Sequence, residues 1–256
     1  MGKIIAVANQ KGGVGKTTSC VSLTAALRRM GKRVLLVDFD PQGNATSGMG
    51  VSKRSRPNSY DVLMGRADAE SAVIALDYGD LLPGNSDLSG AEVQLVNMER
   101  REYRLKEALE PLRRRYDYIF IDCPPSLGLL PLNAFTAADE LLVPLQCEYY
   151  AMEGIADLTT TVKMTNKRLN PELEIGGILL TMYDSRVNFS EQVAEELRNY
   201  FGAKVYKSMI PRNVRLAEAP SHGRPISEYD RHSKGAKAYA KAAEEFLARQ
   251  EKKHGE

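Results

Sequence analysis

Residues 10–18 read Gln-Lys-Gly-Gly-Val-Gly-Lys-Thr-Thr, directly after the apolar run Ile4-Ile5-Ala6-Val7-Ala8 and directly before a helical pattern carried by Val21, Leu23 and Leu27. A β-branched run, a glycine-rich turn and a Lys-Thr-Thr helix start form the strand–loop–helix context that a phosphate-binding loop requires. Such a unit needs a crossover helix returning to a parallel strand, which points the whole chain toward an open α/β sheet. The residue types have a physical reason. Gly12, Gly13 and Gly15, with Val14 among them, let the backbone turn successive N–H groups toward phosphate oxygens. The helix that follows adds its unsatisfied N-terminal donors. Lys16 supplies a cation for the β and γ phosphates, the Thr17 hydroxyl is placed for Mg²⁺, and Thr18 is placed to donate to the α phosphate. A nucleoside triphosphate with magnesium is the implied ligand.

The rest of the chain alternates apolar strands with helical stretches. Strands are expected at 33–37, 80–82, 118–122, 141–145, 175–182 and 204–207, and helices at 60–64, 69–75, 89–112, 152–169, 191–201 and 236–249. The alternation continues without linker, repeat or low-complexity segment, so one domain over 1–256 is expected, its extreme C-terminus fraying from about residue 250. The fold class is α/β, a phosphate-loop NTPase fold whose mostly parallel, twisted sheet carries helices on both faces. In such a sheet ligands gather at the carboxyl ends of the strands. Asp38 and Asp40, in Asp38-Phe39-Asp40-Pro41-Gln42-Gly43-Asn44, therefore belong on the same edge as the phosphate loop. Asp122 ends the run Tyr118-Ile119-Phe120-Ile121 in the Walker B manner, to hold the magnesium hydration shell through water.

Composition excludes several classes. The 256 residues, 43% hydrophobic and 27% charged, suit a globular α/β domain, and no run approaches the roughly 18 apolar residues of a membrane span. With no signal-like start, a cytoplasmic location without membrane attachment is expected. Cys20, Cys123 and Cys147 are odd in number and lack metal or disulfide spacing, so they read as small buried apolar residues. His222, His232 and His254 sit in polar surroundings without ligand spacing. A net charge of +2 announces no nucleic-acid partner, so any such surface must be local. Arg100, Arg101, Arg104 and Arg113-Arg114-Arg115 read as a solvated helix face.

Two departures from the common phosphate-loop ATPase pattern decide the chemistry. Cys123 occupies the position after Asp122 where many such enzymes carry a water-orienting glutamate. Asp40 is then the best candidate for aligning the attacking water, with Asp38 assisting magnesium or loop geometry. At the loop itself, Gln10 replaces the usual first glycine and Lys11 adds a second lysine. This Lys-Gly-Gly-x-Gly-Lys-Thr form resembles the deviant Walker A loop of the ParA/MinD ATPases. With Asp122-Cys123-Pro124-Pro125-Ser126, Gln146-Cys147-Glu148-Tyr149-Tyr150 and the stretch Ile210 to Gly223, the chain is similar over almost its whole length to the chromosomal ParA proteins, often called Soj.

The resemblance implies an ATP-dependent switch for chromosome or plasmid segregation, weak in intrinsic hydrolysis. ATP and Mg²⁺ close a sandwich homodimer, the dimer binds nonspecific double-stranded DNA on the nucleoid, and hydrolysis, stimulated by a ParB/Spo0J-like partner, releases it. By carry-over, Lys11 reaches the partner subunit's nucleotide and joins Lys16 and Asp40 as catalytic, while Pro211 and Asn213 lie against the adenine. Read without the resemblance, the stretch Ile210 to Gly223 is only a proline-rich loop ending a strand. Arg186 and Arg215 are, by the same carry-over, DNA contacts; read alone they are ordinary solvated or salt-bridged side chains. A role with a replication initiator, known in some Soj-like proteins, stays open. The alternative is a MinD-like membrane-cycling ATPase, which needs a basic amphipathic C-terminal helix with bulky apolar anchors. Ala240, Ala243, Phe246 and Leu247 instead form a small, alanine-rich stripe suited to packing on the sheet. A reductase like the nitrogenase iron protein needs two cluster cysteines per subunit, and residues 126–131 carry none.

Overall fold

The computed structural model describes residues 1–126, 128–148 and 151–254, so Leu127, Gly255, Glu256 and, from the Gln146–Tyr150 motif, Tyr149 and Tyr150 lie outside the described residues. Six strands, β1 (Lys3–Val7), β2 (Val34–Asp38), β3 (Asp80–Leu82), β4 (Tyr118–Asp122), β5 (Glu140–Gln146) and β6 (Glu174–Thr181), form one sheet in the order β3-β2-β4-β1-β5-β6. Every pairing in it is parallel. These strands are near-continuous apolar runs because both faces of the sheet are covered. Alternation sends Ile4, Ala6, Leu35, Val37, Ile119 and Ile121 into one core, and Ile5, Val7, Leu36 and Phe120 into the other.

The helices are α1 (Lys16–Arg29), α2 (Asn44–Gly48), α3 (Ser59–Leu63), α4 (Ala69–Ala72), α5 (Leu88–Leu95), α6 (Arg104–Leu109), α7 (Leu129–Ala137), α8 (Ala151–Arg168), α9 (Asn188–Phe201), α10 (Val214–Glu218), α11 (Ile226–Tyr229) and α12 (Lys234–His254). The stretch from α3 to α9 supplies the first core, and α1, α2 and α10 to α12 supply the second. Because all strands run the same way, the ends of β1, β2, β4, β5 and β6 share one edge. There the chain leaves central β1 for the phosphate loop, where a doubly wound sheet opens its crevice.

Two expectations fail for identifiable reasons. The helix expected over 89–112 is broken into α5, α6 and a 3-10 turn at Glu110–Arg114. Arg100 takes a left-handed φ of 51°, and Asn133 holds the break open: its Nδ2 donates to the Arg101 carbonyl at 2.8 Å and its Oδ1 accepts from Leu105 N at 3.2 Å. The strand expected at 204–207 is reduced to one bridge, Val205 to Ile178. The Glu245 carboxylate on α12 takes the N–H groups of Lys207 and Ser208 at 2.9 and 2.8 Å, diverting them from the sheet. Toward the C-terminus, α12 continues to His254. Gln250 Nε2 donates to the buried Glu140 at 2.5 Å, and Lys253 Nζ donates to Glu140 at 2.7 Å and Glu174 at 2.5 Å, tying the last turns to β5 and β6.

Candidate active site

The loop between β1 and α1 has the geometry that its glycines suggest, with one exception. Gly13 and Gly15 take φ of 76° and 86°, where a Cβ is disfavoured. Gly12 has no positive φ and open space where a side chain would stand, so its glycine is not required by the backbone. Val14 is buried, and its carbonyl accepts from Thr181 Oγ1 at the end of β6 at 2.8 Å, fixing the crown of the loop to the sheet. Lys16 is buried, and its Nζ donates to the Lys11 carbonyl at 3.2 Å, spanning the loop from within. Burial lowers its pKa while Asp122 opposes the shift, so the ammonium is a cation short of anionic partners. Lys11 behaves differently: its side chain is half exposed and ion-paired with Glu148, just past β5.

The carboxylates converge as the topology requires. Asp38 and Asp122 are register partners across β2 and β4, and Val7, at the end of β1, is register partner to Asp122 on its other side. Burial pushes Asp122 up to about 8, and the neighbouring Asp38 adds to the rise, while Thr17 and Cys20 pull the other way. Its Oδ1 takes only a weak 3.5 Å bond from Cys20 Sγ, and its buried Oδ2 has no partner among the described residues. An orphaned carboxylate oxygen beside a threonine hydroxyl offers the oxygen donors that suit a hard divalent cation. Asp38 is pushed up to about 6 by burial, against hydrogen bonds from Thr46. Its Oδ2 accepts from Thr46 N at 2.7 Å and Thr46 Oγ1 at 2.6 Å, so it holds the start of α2 in place. Of the two duties suggested for Asp38, loop geometry is the one these contacts serve. Asp40 is buried, and its Oδ1 accepts from Gln42 N at 2.9 Å within the turn that leads to α2.

Beside the loop open two cavities that share Thr18 and Leu216. The larger, about 390 Å³, is lined by Gly15, Met182, Pro211, Asn213 and Tyr239 among others; the smaller, about 280 Å³, by Thr17, Asn44, Ser47 and Arg224. Pro211 bridges to Tyr183, just beyond β6, and Asn213 Oδ1 caps α10 by accepting from Arg215 N at 3.0 Å. The larger cavity is mainly apolar with a few polar groups, the general character of a small-molecule site. Both arginines assigned to DNA are committed within the chain. Arg186 pairs with Asp184 at 2.7 Å, and Arg215 pairs with Glu218 at 2.8 Å and Asp230 at 3.6 Å.

Four supporting residues escape the sequence reading. Asn9 is buried and joins Lys11 N to the Pro144 carbonyl; Thr46 serves Asp38; Thr181 anchors Val14; and Glu148 holds Lys11. Asn9 and Glu148 lie inside or beside recognisable motifs, which is the available signal. Thr46 and Thr181 carry none, because their partners are remote in the chain.

A strand-loop-helix cradle with a buried lysine and carboxylates at the ends of adjacent parallel strands defines a phosphate-loop nucleotide-binding protein. A family model described as an AAA domain matches residues 2–175. The sporulation initiation inhibitor protein Soj of Bacillus subtilis (strain 168) is 55% identical over 251 residues, 97% of this chain and 99% of that protein. The chromosome-partitioning ATPase Soj of Treponema pallidum (strain Nichols) is 50% identical, covering 97% and 98%. Among solved structures, cobyrinic acid a,c-diamide synthase from Mycobacterium smegmatis with bound ADP and magnesium superposes with a TM-score of 0.86 at 40% identity, covering 98% and 96%. The chain belongs to the Soj/ParA family of chromosome-partitioning ATPases.

Proposed function

We propose that this protein is an ATP-dependent DNA-partitioning switch: ATP with Mg²⁺ closes two subunits on each other, the dimer holds nonspecific duplex DNA on the nucleoid, and hydrolysis releases it. The observation that carries the reading is a division of labour between two lysines of one loop. Lys16 is buried inside its own cradle, whereas the Lys11 side chain stands half exposed, paired with Glu148 beyond β5. A lysine so placed is available to a nucleotide held by a second subunit.

Phosphoryl transfer asks the protein mainly for positioning and charge neutralisation. The loop N–H groups and Lys16 bind the phosphates, and Pro211 and Asn213 flank the base. Thr17, and Asp122 through water, would hold Mg²⁺, which would supply charge neutralisation at the phosphates. Asp40 orients the attacking water, and Lys11 stabilises developing charge on the partner's nucleotide. Arg186 and Arg215 contact DNA phosphates, giving binding that is indifferent to sequence and steeply salt-dependent. A ParB/Spo0J-like partner accelerates a slow intrinsic hydrolysis. ATP acts here as a ligand that shifts a monomer–dimer equilibrium.

The membrane-cycling alternative is not favoured. Of the expected stripe, Ala243 and Phe246 are buried with Ala236 and Tyr239 in the core that α12 shares with α1, while Ala240 and Leu247 are partly buried, and no described helix is long and apolar enough to cross a membrane. The test is DNA retention with no nucleotide, ADP or ATP at two salt concentrations. Retention specific to ATP and weakened by salt is the expected result; retention indifferent to nucleotide overturns the switch.

A further inference from the structure

We infer that Glu148 is a positioning residue for Lys11: it parks the lysine within its own subunit and must release it when two subunits close on ATP. The inference rests on the dimer switch proposed above and adds the element that opposes closure.

Both ends of the pair are anchored. The Lys11 N–H donates to Asn9 Oδ1 at 3.0 Å, and the buried Asn9 donates from Nδ2 to the Pro144 carbonyl at 2.8 Å, so the backbone of Lys11 is tied to β5. Glu148 follows the end of that strand, its own N–H donating to the Gln146 carbonyl at 2.8 Å. The Lys11 carbonyl meanwhile faces inward and accepts from Lys16 Nζ, leaving the Lys11 side chain to run outward to Glu148 Oε2.

Burial sets the strength of such a pair. The two side chains are 45% and 46% exposed. Water therefore competes with the ion pair, and it opens at small cost, whereas a fully buried pair would resist separation. Opening is needed because the Glu148 carboxylate and a triphosphate are both anionic and compete for one ammonium. Each subunit gives up one pair, so the effect of Glu148 enters twice into the dimer equilibrium. An exposed pair biases an equilibrium by about 1.4- to fivefold, hence about two- to thirtyfold for a dimer.

The experiment is sedimentation equilibrium of the full chain with a non-hydrolysable ATP analogue and Mg²⁺, at low and high ionic strength. Glu148→Gln keeps the shape and removes the charge. It is expected to tighten the dimer by about two- to thirtyfold, with the gap to the parent narrowing at high salt and ADP affinity unchanged. In a Lys11→Ala background the same substitution is expected to rescue nothing. A Glu148→Gln dimer as weak as the parental one or weaker, or tightening that persists without Lys11, overturns the inference. Should the glutamine variant melt early, Glu148→Asp, which withdraws the carboxylate by one methylene, decides in the same direction. If the parent itself stays monomeric with the analogue, the dimer switch falls, and the role of Glu148 falls with it.

Discussion

Asp38 and Asp122 stand opposite each other in the register of β2 and β4, both fully buried, and their charges oppose one another. The fold thus stores two carboxyl groups whose ionised forms it disfavours, and a cation is what relieves them.

Stability of the ligand-free protein should therefore fall as pH rises. Carboxyls whose folded values lie near 6 and 8, above about 3.9 in the unfolded chain, stabilise the fold fully only below about 4. That contribution is lost as pH rises through about 6 for Asp38 and about 8 for Asp122. Asp122→Asn removes the second loss. In urea denaturation without nucleotide or metal, the variant is expected to gain on the parent as pH rises, with a clearly larger advantage at pH 8.5 than at pH 5. An equal advantage at both values would show that ionisation of Asp122 is not the cause.

Asp40→Ala is expected to keep ATP binding and lose hydrolysis by about 10²- to 10⁴-fold, the usual share of a positioned base. The Asp40 carboxylate accepts from Gln42 N, while the Asp40 carbonyl, which survives the substitution, still accepts from Gly43 N at 2.9 Å. The turn therefore keeps part of its bonding. Steady-state phosphate release alongside equilibrium titration of labelled ATP separates the two effects. Lys16→Ala has the opposite signature, because a buried cation is removed from the cradle: titration is expected to show the affinity itself falling.

What can be read from the sequence is whatever is encoded locally. The strand at Tyr118–Asp122, the loop at 10–18 and the convergence of Asp38, Asp40 and Asp122 follow from apolar runs and from strands sharing a direction. What cannot be read is decided by partners remote in the chain. Asn133 breaks the helix over 89–112, and Glu245 withdraws Lys207 and Ser208 from the sheet. Glu148 lies 137 positions from the lysine it pairs with. Gly12 looks indispensable by its letter, yet its backbone is ordinary.

The C-terminal helix is a structural element of the second core, and its anchor is Phe246. That ring is 1% exposed, meets Tyr118 edge-on at 5.0 Å and lies 5.6 Å from Phe120. Phe246→Ala should destabilise the protein by about 3–5 kcal/mol, because apolar burial is forfeited and a cavity is left behind. Urea denaturation with an unchanged slope is the expected record. A loss below about 1 kcal/mol would mean that α12 is only loosely attached.

The arginines assigned to DNA make the most exacting case, because each is already satisfied within the chain. The Arg186 side chain is 86% exposed, and its guanidinium holds Asp184 well below the usual carboxylate range through hydrogen bonds. To meet a phosphate it must leave that carboxylate or carry it along, and a carboxylate near DNA repels the backbone. Two substitutions should then move affinity in opposite directions. Arg186→Ala is expected to weaken ATP-dependent DNA retention equally across sequences and to reduce the slope of log affinity against log salt by about one for each phosphate that the guanidinium neutralises. Asp184→Asn, which frees the guanidinium, is expected to strengthen retention by up to about fivefold per subunit. Fluorescence anisotropy on two unrelated duplexes at several salt concentrations reads both. If Asp184→Asn leaves retention unchanged while Arg186→Ala weakens it, the arginine contributes only through long-range charge. If neither variant alters retention, the DNA surface lies elsewhere on the molecule.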